Sequence, residues 1–100
     1  MADQFDLYRD PQGGLFLILQ SEAVDTLDTR VFASVVPSGT AGIAALDRLS
    51  VPLIFAEREY RVMVSLLGTA RLGRMGDKLG NYAHLRDRIT RAFDLLYSGI

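Results

Sequence analysis

Short apolar runs separated by turn residues occupy most of the chain before residue 67. Residues 4–8 alternate apolar and polar side chains, residues 15–20 are almost wholly apolar, and residues 9–14 between them are rich in Asp, Pro and Gly. Alternation with a period of two is typical of a strand with one buried face, and a short continuous apolar run is typical of a strand covered on both faces. The two runs therefore predict a first β-hairpin.

Three further segments favour strands. Residues 30–36 are rich in β-branched side chains and end at Pro37, which cannot donate a main-chain hydrogen bond. Residues 51–56 and 60–66 are joined by the charged residues 57–59, and the second of these segments alternates apolar with polar side chains. This pattern predicts a second hairpin.

The period changes towards the C-terminus. Four of the nine glycines lie in residues 67–80 and argue against a helix there. Residues 70–73 are a candidate short strand, and the pattern of residues 77–80 fits either a loop or a strand. Beyond them, apolar residues recur in steps of three and four, as on one face of a helix. Asn81 is the predicted N-cap and Gly99 the predicted end. The predicted helix stripe comprises Tyr82, Leu85, Ile89, Ala92, Phe93 and Leu96.

These elements predict a single domain, residues 1–100, built from a mostly antiparallel β-sheet and a C-terminal helix. One hundred residues with 49% hydrophobic side chains suffice for one core. The absence of cysteine excludes disulfides and thiolate chemistry, and one histidine leaves little with which to bind a transition metal. No cofactor is expected. The sequence shows neither a leader nor an apolar run near 18 residues, so we expect a cytoplasmic protein with no membrane contact.

Charge is segregated along the chain, although the net charge is only -1. Up to residue 30 there are six acidic and two basic residues, whereas residues 71–91 contain six basic and two acidic ones. The small net charge argues against general or sequence-specific nucleic-acid binding. A basic run is usually a solvated face, but it can also attract an acidic partner.

No catalytic constellation stands out in the sequence. Gly13 and Gly14 lack the spacing of a phosphate-binding loop, as do the glycines of residues 67–80. Ser21, Asp25 and His84 are the residue types of a catalytic triad, but such types occur in any chain of this length. We interpret His84 as a hydrogen-bonded structural histidine and the aromatic residues as core rather than a base-stacking platform. The expectation is a protein that is not an enzyme, with no catalytic residue and no metal.

Short matches in a fixed order carry a family resemblance. They are Gln4-Phe5, Tyr8-Arg9, Leu15-Phe16, Gln20-Ser21, Asp25-Thr26, Arg30-Val31, Val36-Pro37, Ala83-His84, Ile89, Ala92, Leu95 and Gly99-Ile100. In their order, their spacing and a length of 100 residues that stops at Gly-Ile, the chain resembles the CcdB toxin family, whose members poison DNA gyrase. The resemblance implies an antiparallel barrel of the SH3 type, as in the CcdB and MazF toxins, together with a homodimer, a cognate antitoxin and no catalytic chemistry.

The resemblance also implies a target site at the C-terminal helix end. In the family, an aromatic residue, a tryptophan, a glycine and an isoleucine insert there into the gyrase A subunit, and positions earlier on the helix and after the second strand contribute. The corresponding residues here are Ala23, Val24, Asp94, Tyr97, Ser98, Gly99 and Ile100. Ser98 replaces the tryptophan. Truncating such an anchor costs about 2 to 4 kcal/mol, so the sequence predicts that gyrase is bound weakly, or through a different contact, unless Tyr97 substitutes.

The expected partner is an acidic antitoxin whose disordered tail folds over the basic segment, with Arg71 and Arg74 as candidate contacts. Two alternatives stay open. One is a ribonuclease toxin on the same small barrel, which would need basic side chains converging on a scissile phosphate; Arg71 and Arg74 are again the candidates. The other is a non-toxic binding module that has lost or changed its target.

Overall fold

The computed structural model describes residues 3–20, 29–39, 49–71 and 75–98. Its elements are β1 (Asp6–Arg9), β2 (Leu15–Ile18), β3 (Thr29–Pro37), β4 (Ser50–Phe55), β5 (Arg58–Arg71), β6 (Asp77–Asn81), a 3₁₀ turn (Ala83–Leu85) and α1 (Arg86–Ser98). The strands form one six-stranded sheet in the order β4-β5-β3-β2-β1-β6, and each pair of neighbours is antiparallel. This architecture confirms the predicted fold class, mainly β with a C-terminal helix.

Both predicted hairpins are present. Strands β1 and β2 pair with Leu7 opposite Leu17, and β4 and β5 pair with Phe55 opposite Arg58. The second hairpin turns through two residues, Ala56 and Glu57, rather than through the three charged residues 57–59. Both have positive φ, 52° and 63°. This conformation matches the twist of the strands but is unfavourable for residues that carry a Cβ.

Relieving this turn is expected to stabilise the protein. Glycine and asparagine adopt positive φ at lower cost, so the double variant Ala56→Asn/Glu57→Gly should raise the free energy of unfolding by about 1 kcal/mol. Urea denaturation of the purified chain measures the change. Glu57→Gln removes the charge but keeps the Cβ, and it should stay within about 0.5 kcal/mol of the parent protein. An unchanged or lower value for the double variant would contradict the prediction.

Strand β5 is bent, and the bend curls the sheet. Ala33 and Ser34 are neighbours on β3, yet they pair with Leu67 and Met63, so three residues of β5 bulge between the two pairs. Such insertions bend a strand and increase its twist. Gly68 follows the bulge, and a Cβ at this position would lie 2.8 Å from the Phe32 ring. The predicted short strand at residues 70–73 is described only at Ala70 and Arg71, which are the last two residues of the much longer β5; residues 72 and 73 lie outside the described residues.

The sheet buries side chains on both faces. Helix α1 covers one face, where Leu7, Leu17 and Val62 are fully buried. On the other face, Tyr8, Phe16, Phe32 and neighbours form a smaller cluster, with the Phe16 and Phe32 ring centroids 4.8 Å apart. The aromatic residues predicted to be core all pack in one of the two clusters; they are Phe5, Tyr8, Phe16, Phe32, Phe55, Tyr60 and Phe93.

Helix α1 places most of its predicted apolar stripe on the sheet. Ile89 and Ala92 are buried and Phe93 packs against the same cluster, but Leu96 is 40% exposed because the last turn leaves the packed stripe. The prediction of Asn81 as N-cap is wrong, because Asn81 ends β6 and Tyr82 is the N-cap of the 3₁₀ turn; Asn81 Oδ1 still accepts the Ala83 N–H at 3.0 Å. Within the described ranges, no helix has the length and hydrophobicity to cross a membrane.

Candidate functional site

The C-terminal turn of α1 exposes an aromatic side chain. Tyr97 is 96% exposed, and its neighbour Leu96 is partly exposed as well. Aromatic side chains of this kind are enriched at the centre of protein interfaces, because they bury a large area at a low cost in conformational entropy. The helix end therefore has the character of a contact surface for a protein partner.

Asp94, another residue of the predicted target site, shares this surface with Tyr97. Asp94 is exposed and lies three residues before Tyr97, so the two project from the same side of the helix. Ser98 is the last residue of α1. The remaining predicted site residues lie outside the described residues; they are Ala23, Val24, Arg74, Gly99 and Ile100. The same is true of Ser21 and Asp25.

The basic segment of residues 71–91 is divided by the fold. Lys78 Nζ lies 3.2 Å from the carboxylate of Asp6, so its charge compensates a buried acid. The Arg86 guanidinium stacks 4.9 Å above the Phe5 ring and donates a hydrogen bond to Gln4 Oε1 at 3.3 Å. Both cations therefore serve the fold, and neither is displayed simply as a solvated charge.

Asp6 is the buried acid at the centre of this arrangement. Its side chain is fully buried and accepts hydrogen bonds from the Asp3 N–H at 2.8 Å and from Asn81 Nδ2 at 2.9 Å. The hydrogen bond and the charge of Asp6 raise the pKa of Lys78. Burial, and then the Asp6 charge, raise the pKa of Tyr8. The alternating pattern of residues 4–8 did not distinguish Asp6 from an exposed polar residue, because its partners on β6 are more than 70 residues away.

Two adjoining depressions lie between α1 and the edge strand β4; Arg88 lines both and Arg91 lines the first. The first, of about 290 Å³, also contains Val51, Ala92 and Leu95 in its lining. The second, of about 430 Å³, shares Arg88 and Pro52 with the first. We call the two depressions together the α1–β4 groove. Arg71, by contrast, is exposed at the far end of β5 opposite Thr29 and does not line this groove.

His84 lies at the second depression of the α1–β4 groove. Its side chain is exposed, and its ring centroid is 5.6 Å from that of Tyr82. Among the described residues none forms a hydrogen bond with its imidazole, so the interpretation as a hydrogen-bonded structural histidine stays a prediction. Burial raises the pKa of Tyr82, whose hydroxyl donates a 2.7 Å hydrogen bond to the Ile54 carbonyl.

A separate groove of about 580 Å³ lies on the face opposite α1. The β1–β2 turn and strands β2, β3 and β5 form it, with Phe16, Phe32, Ser34 and Thr69 in its lining. Asp10 is the ionisable residue among the described residues that line it. The Asp10 carboxylate would repel a phosphate group placed beside it.

The chain is similar to one protein family in sequence and to several solved structures in fold. The model of the CcdB protein family matches residues 4–99. An endoribonuclease from a mycobacterial species has a TM-score of 0.76 at 16% identity, covering 96% of this chain and 90% of that one. A mycobacterial endoribonuclease in complex with its cognate antitoxin has a TM-score of 0.78 at 15% identity, with coverage of 98% and 96%. No curated protein sequence matches the chain.

A third neighbour, the Mycobacterium tuberculosis toxin MazF-mt6, has a TM-score of 0.64 at 18% identity, covering 91% of this chain and 97% of that toxin. The expectation that the protein is not an enzyme is contradicted, because neighbours with its fold are named endoribonucleases. Local sequence motifs are a weak test for catalysis, because the fold can bring together catalytic groups that are far apart in sequence.

Proposed function

Because the chain belongs to the CcdB family and is the toxin of a toxin–antitoxin system, we propose that it is a cytoplasmic homodimer that binds the gyrase A subunit. The contact is the C-terminal turn of α1, and the bound toxin traps the complex in which gyrase has cleaved DNA. The observation that carries this proposal is the exposure of Tyr97, which is 96% accessible at the end of an otherwise packed helix.

Tyr97 can supply the anchor that Ser98 does not. An aromatic side chain buries roughly 150 to 250 Å² at an interface, which corresponds to about 4 to 6 kcal/mol at 25 cal/mol per Å² before the costs of ordering are subtracted. Asp94 on the same side of the helix adds a polar contact at the rim. Ser98 adds little apolar area, so gyrase binding is weaker than a tryptophan at that position would provide.

A DNA-cleavage assay tests this proposal. Purified protein is incubated with supercoiled plasmid, bacterial DNA gyrase and ATP, and the linear product is quantified against toxin concentration. Tyr97→Ala should raise the concentration needed for half-maximal cleavage by about tenfold, and Ser98→Trp should lower it by about tenfold. Thr90→Ala, an exposed change in the middle of the same helix, is the matched control and should have no effect.

Two outcomes would contradict the gyrase proposal. The first is a folded chain that produces no linear DNA even as the Ser98→Trp variant. The second is equal activity of Tyr97→Ala and the parent protein, which would place the contact elsewhere. Circular dichroism of each variant confirms that a loss of activity is not a loss of folding.

RNA cleavage is the second candidate function, favoured by the named activity of the fold neighbours. A single-stranded RNA incubated with the chain would then be cut, and gyrase would be unaffected. Arg71 and Arg74 are the arginines predicted to contact the scissile phosphate, and of these two the structure describes Arg71. Arg71→Ala should therefore reduce the rate of RNA cleavage about tenfold or more. The matched control is Arg58→Ala, which removes the same charge at the opposite end of β5. Uncut RNA, or equal loss in both variants, would contradict this alternative.

A cognate antitoxin is the expected protein partner in either case. The complex of a mycobacterial endoribonuclease with its antitoxin supports this expectation for a chain of the same fold. The partner should be acidic where it meets the exposed arginines of the toxin.

A further inference from the structure

The α1–β4 groove combines an apolar floor with a basic rim. Its two depressions are lined by aliphatic side chains that include Val51, Leu53 and Leu95. Arg88 lines both depressions and Arg91 lines the first, and both arginines are exposed. A surface of this kind suits a peptide that carries apolar and acidic side chains together.

The rim arginines belong to the part of the basic segment that the fold leaves exposed, as does Arg71. Lys78 is engaged by Asp6, and Arg86 is engaged by Gln4 and the Phe5 ring. No described carboxylate forms an ion pair with Arg88 or Arg91. These two arginines are three residues apart on one helix and repel each other weakly, although Asp87 and Asp94, four residues before and three after Arg91, offset part of this repulsion.

The free edge of β4 is closed to an added strand. Pro52 has no N–H to donate, and the Ile54 carbonyl already accepts the hydrogen bond from Tyr82 Oη at 2.7 Å. In an antiparallel pair the main-chain N–H and C=O groups of alternate residues point away from the partner strand, so those of Pro52 and Ile54 both lie on the free edge of β4. A partner in the groove must therefore bind through side chains rather than by extending the sheet.

We propose that the α1–β4 groove binds an acidic, partly apolar segment of a protein partner, with carboxylates on Arg88 and Arg91 and aliphatic side chains on the floor. This proposal rests on the proposed function in one respect: the protein partner expected for a toxin of this kind is its cognate antitoxin. RNA is a poorer occupant, because single-stranded nucleic acid is held by base stacking on aromatic side chains and the floor is mainly aliphatic.

Titration of the full-length ¹⁵N-labelled chain with a synthetic peptide tests the proposal by NMR. The probe is an amphipathic peptide of glutamate and leucine; one control peptide has serine in place of leucine, and another has lysine in place of glutamate. The probe should shift the amide signals of Val51, Leu53, Arg88 and Arg91 saturably. Each control peptide should bind about tenfold more weakly or not at all.

Variants localise the contact. Arg88→Gln/Arg91→Gln should weaken binding of the glutamate–leucine probe by about tenfold, whereas Arg71→Gln/Arg58→Gln removes the same charge elsewhere and should have less effect. The proposal is overturned by equal affinity in the two double variants, by shifts that map to another surface, or by no saturation at millimolar probe. It is also overturned by β-type contacts to Ile54, or by tighter binding of a single-stranded oligoribonucleotide at the same signals. The assay contains no gyrase, so a failure to poison gyrase leaves its result unaffected.

Discussion

Asp6→Ala is expected to lower the free energy of unfolding by about 3 kcal/mol. The Asp6 carboxylate is fully buried and accepts hydrogen bonds from the Asp3 N–H and Asn81 Nδ2 while facing Lys78. Hydrogen bonds to a charged group contribute about 1.5 to 3 kcal/mol each, and water can replace part of what is lost because Asp3 and Asn81 are not buried. Part of this loss is offset because Lys78 is half exposed and can be hydrated.

Urea denaturation at neutral pH measures this effect, with Asp6→Asn as the matched control. Asparagine keeps the size of the side chain and one acceptor oxygen but removes the charge, so we expect an intermediate loss. If Asp6→Ala stays within about 0.5 kcal/mol of the parent protein, the buried carboxylate does not hold β1 and β6 together and the prediction fails.

The dependence of stability on pH provides an independent readout of the same pair. Asp6 raises the pKa of Lys78 in the folded state. A group with a raised folded-state pKa contributes its full stabilisation below its unfolded pKa and loses it as the pH rises through the folded value. The parent protein should therefore lose this contribution above about pH 10. Asp6→Ala should lack that component of the alkaline loss, whereas the component from the raised pKa of Tyr82 should remain.

Gly76→Ala is expected to cost about 3 kcal/mol or more. Gly76 has a φ of +85°, and a Cβ at this position would overlap the carbonyl oxygen of Arg9. Left-handed backbone costs a residue with a Cβ about 1 to 2 kcal/mol, and the contact with a main-chain oxygen adds to this, because the clash can be relieved only by moving a strand. Asp77 pairs with Arg9, so the displacement would separate β6 from β1.

Gly39→Ala separates the two causes. Gly39 has nearly the same φ, +88°, but no atom lies within 4 Å of its ideal Cβ position. We expect this control to cost about 1 kcal/mol, from the backbone conformation alone. Equal unfolding free energies for the two alanine variants would mean that β1 yields to the extra methyl group, against the prediction.

The structural comparisons indicate that target choice is not set by the fold. The same sheet and helix occur in proteins named as endoribonucleases, while the sequence matches the CcdB family over residues 4–99. A shared scaffold can carry different activities on different surfaces. In this chain the surfaces that distinguish the hypotheses are the exposed turn with Tyr97 and the arginines of the α1–β4 groove.

Local patterns predicted the elements well where the determining interactions are close in sequence. Alternation and β-branched content located both hairpins and β3, and the steps of three and four located α1, because these periods follow directly from strand and helix geometry. The sequence leaves β6 open between loop and strand, since Gly76 and Gly80 bracket a short segment with little apolar character. Its pairing with β1 joins residues about 70 positions apart.

The amino-acid sequence alone predicts the mainly β architecture and the amphipathic helix, because both follow from the local spacing of apolar residues. It also predicts the family, from the order and spacing of short matches. Which charges are available to a partner emerges only when the chain is folded. Lys78 compensates Asp6 and Arg86 stacks on Phe5, whereas Arg88 and Arg91 line a groove. Burial and ion pairing depend on distances between strands and helices that are far apart along the chain, so they cannot be predicted by counting charges along the sequence.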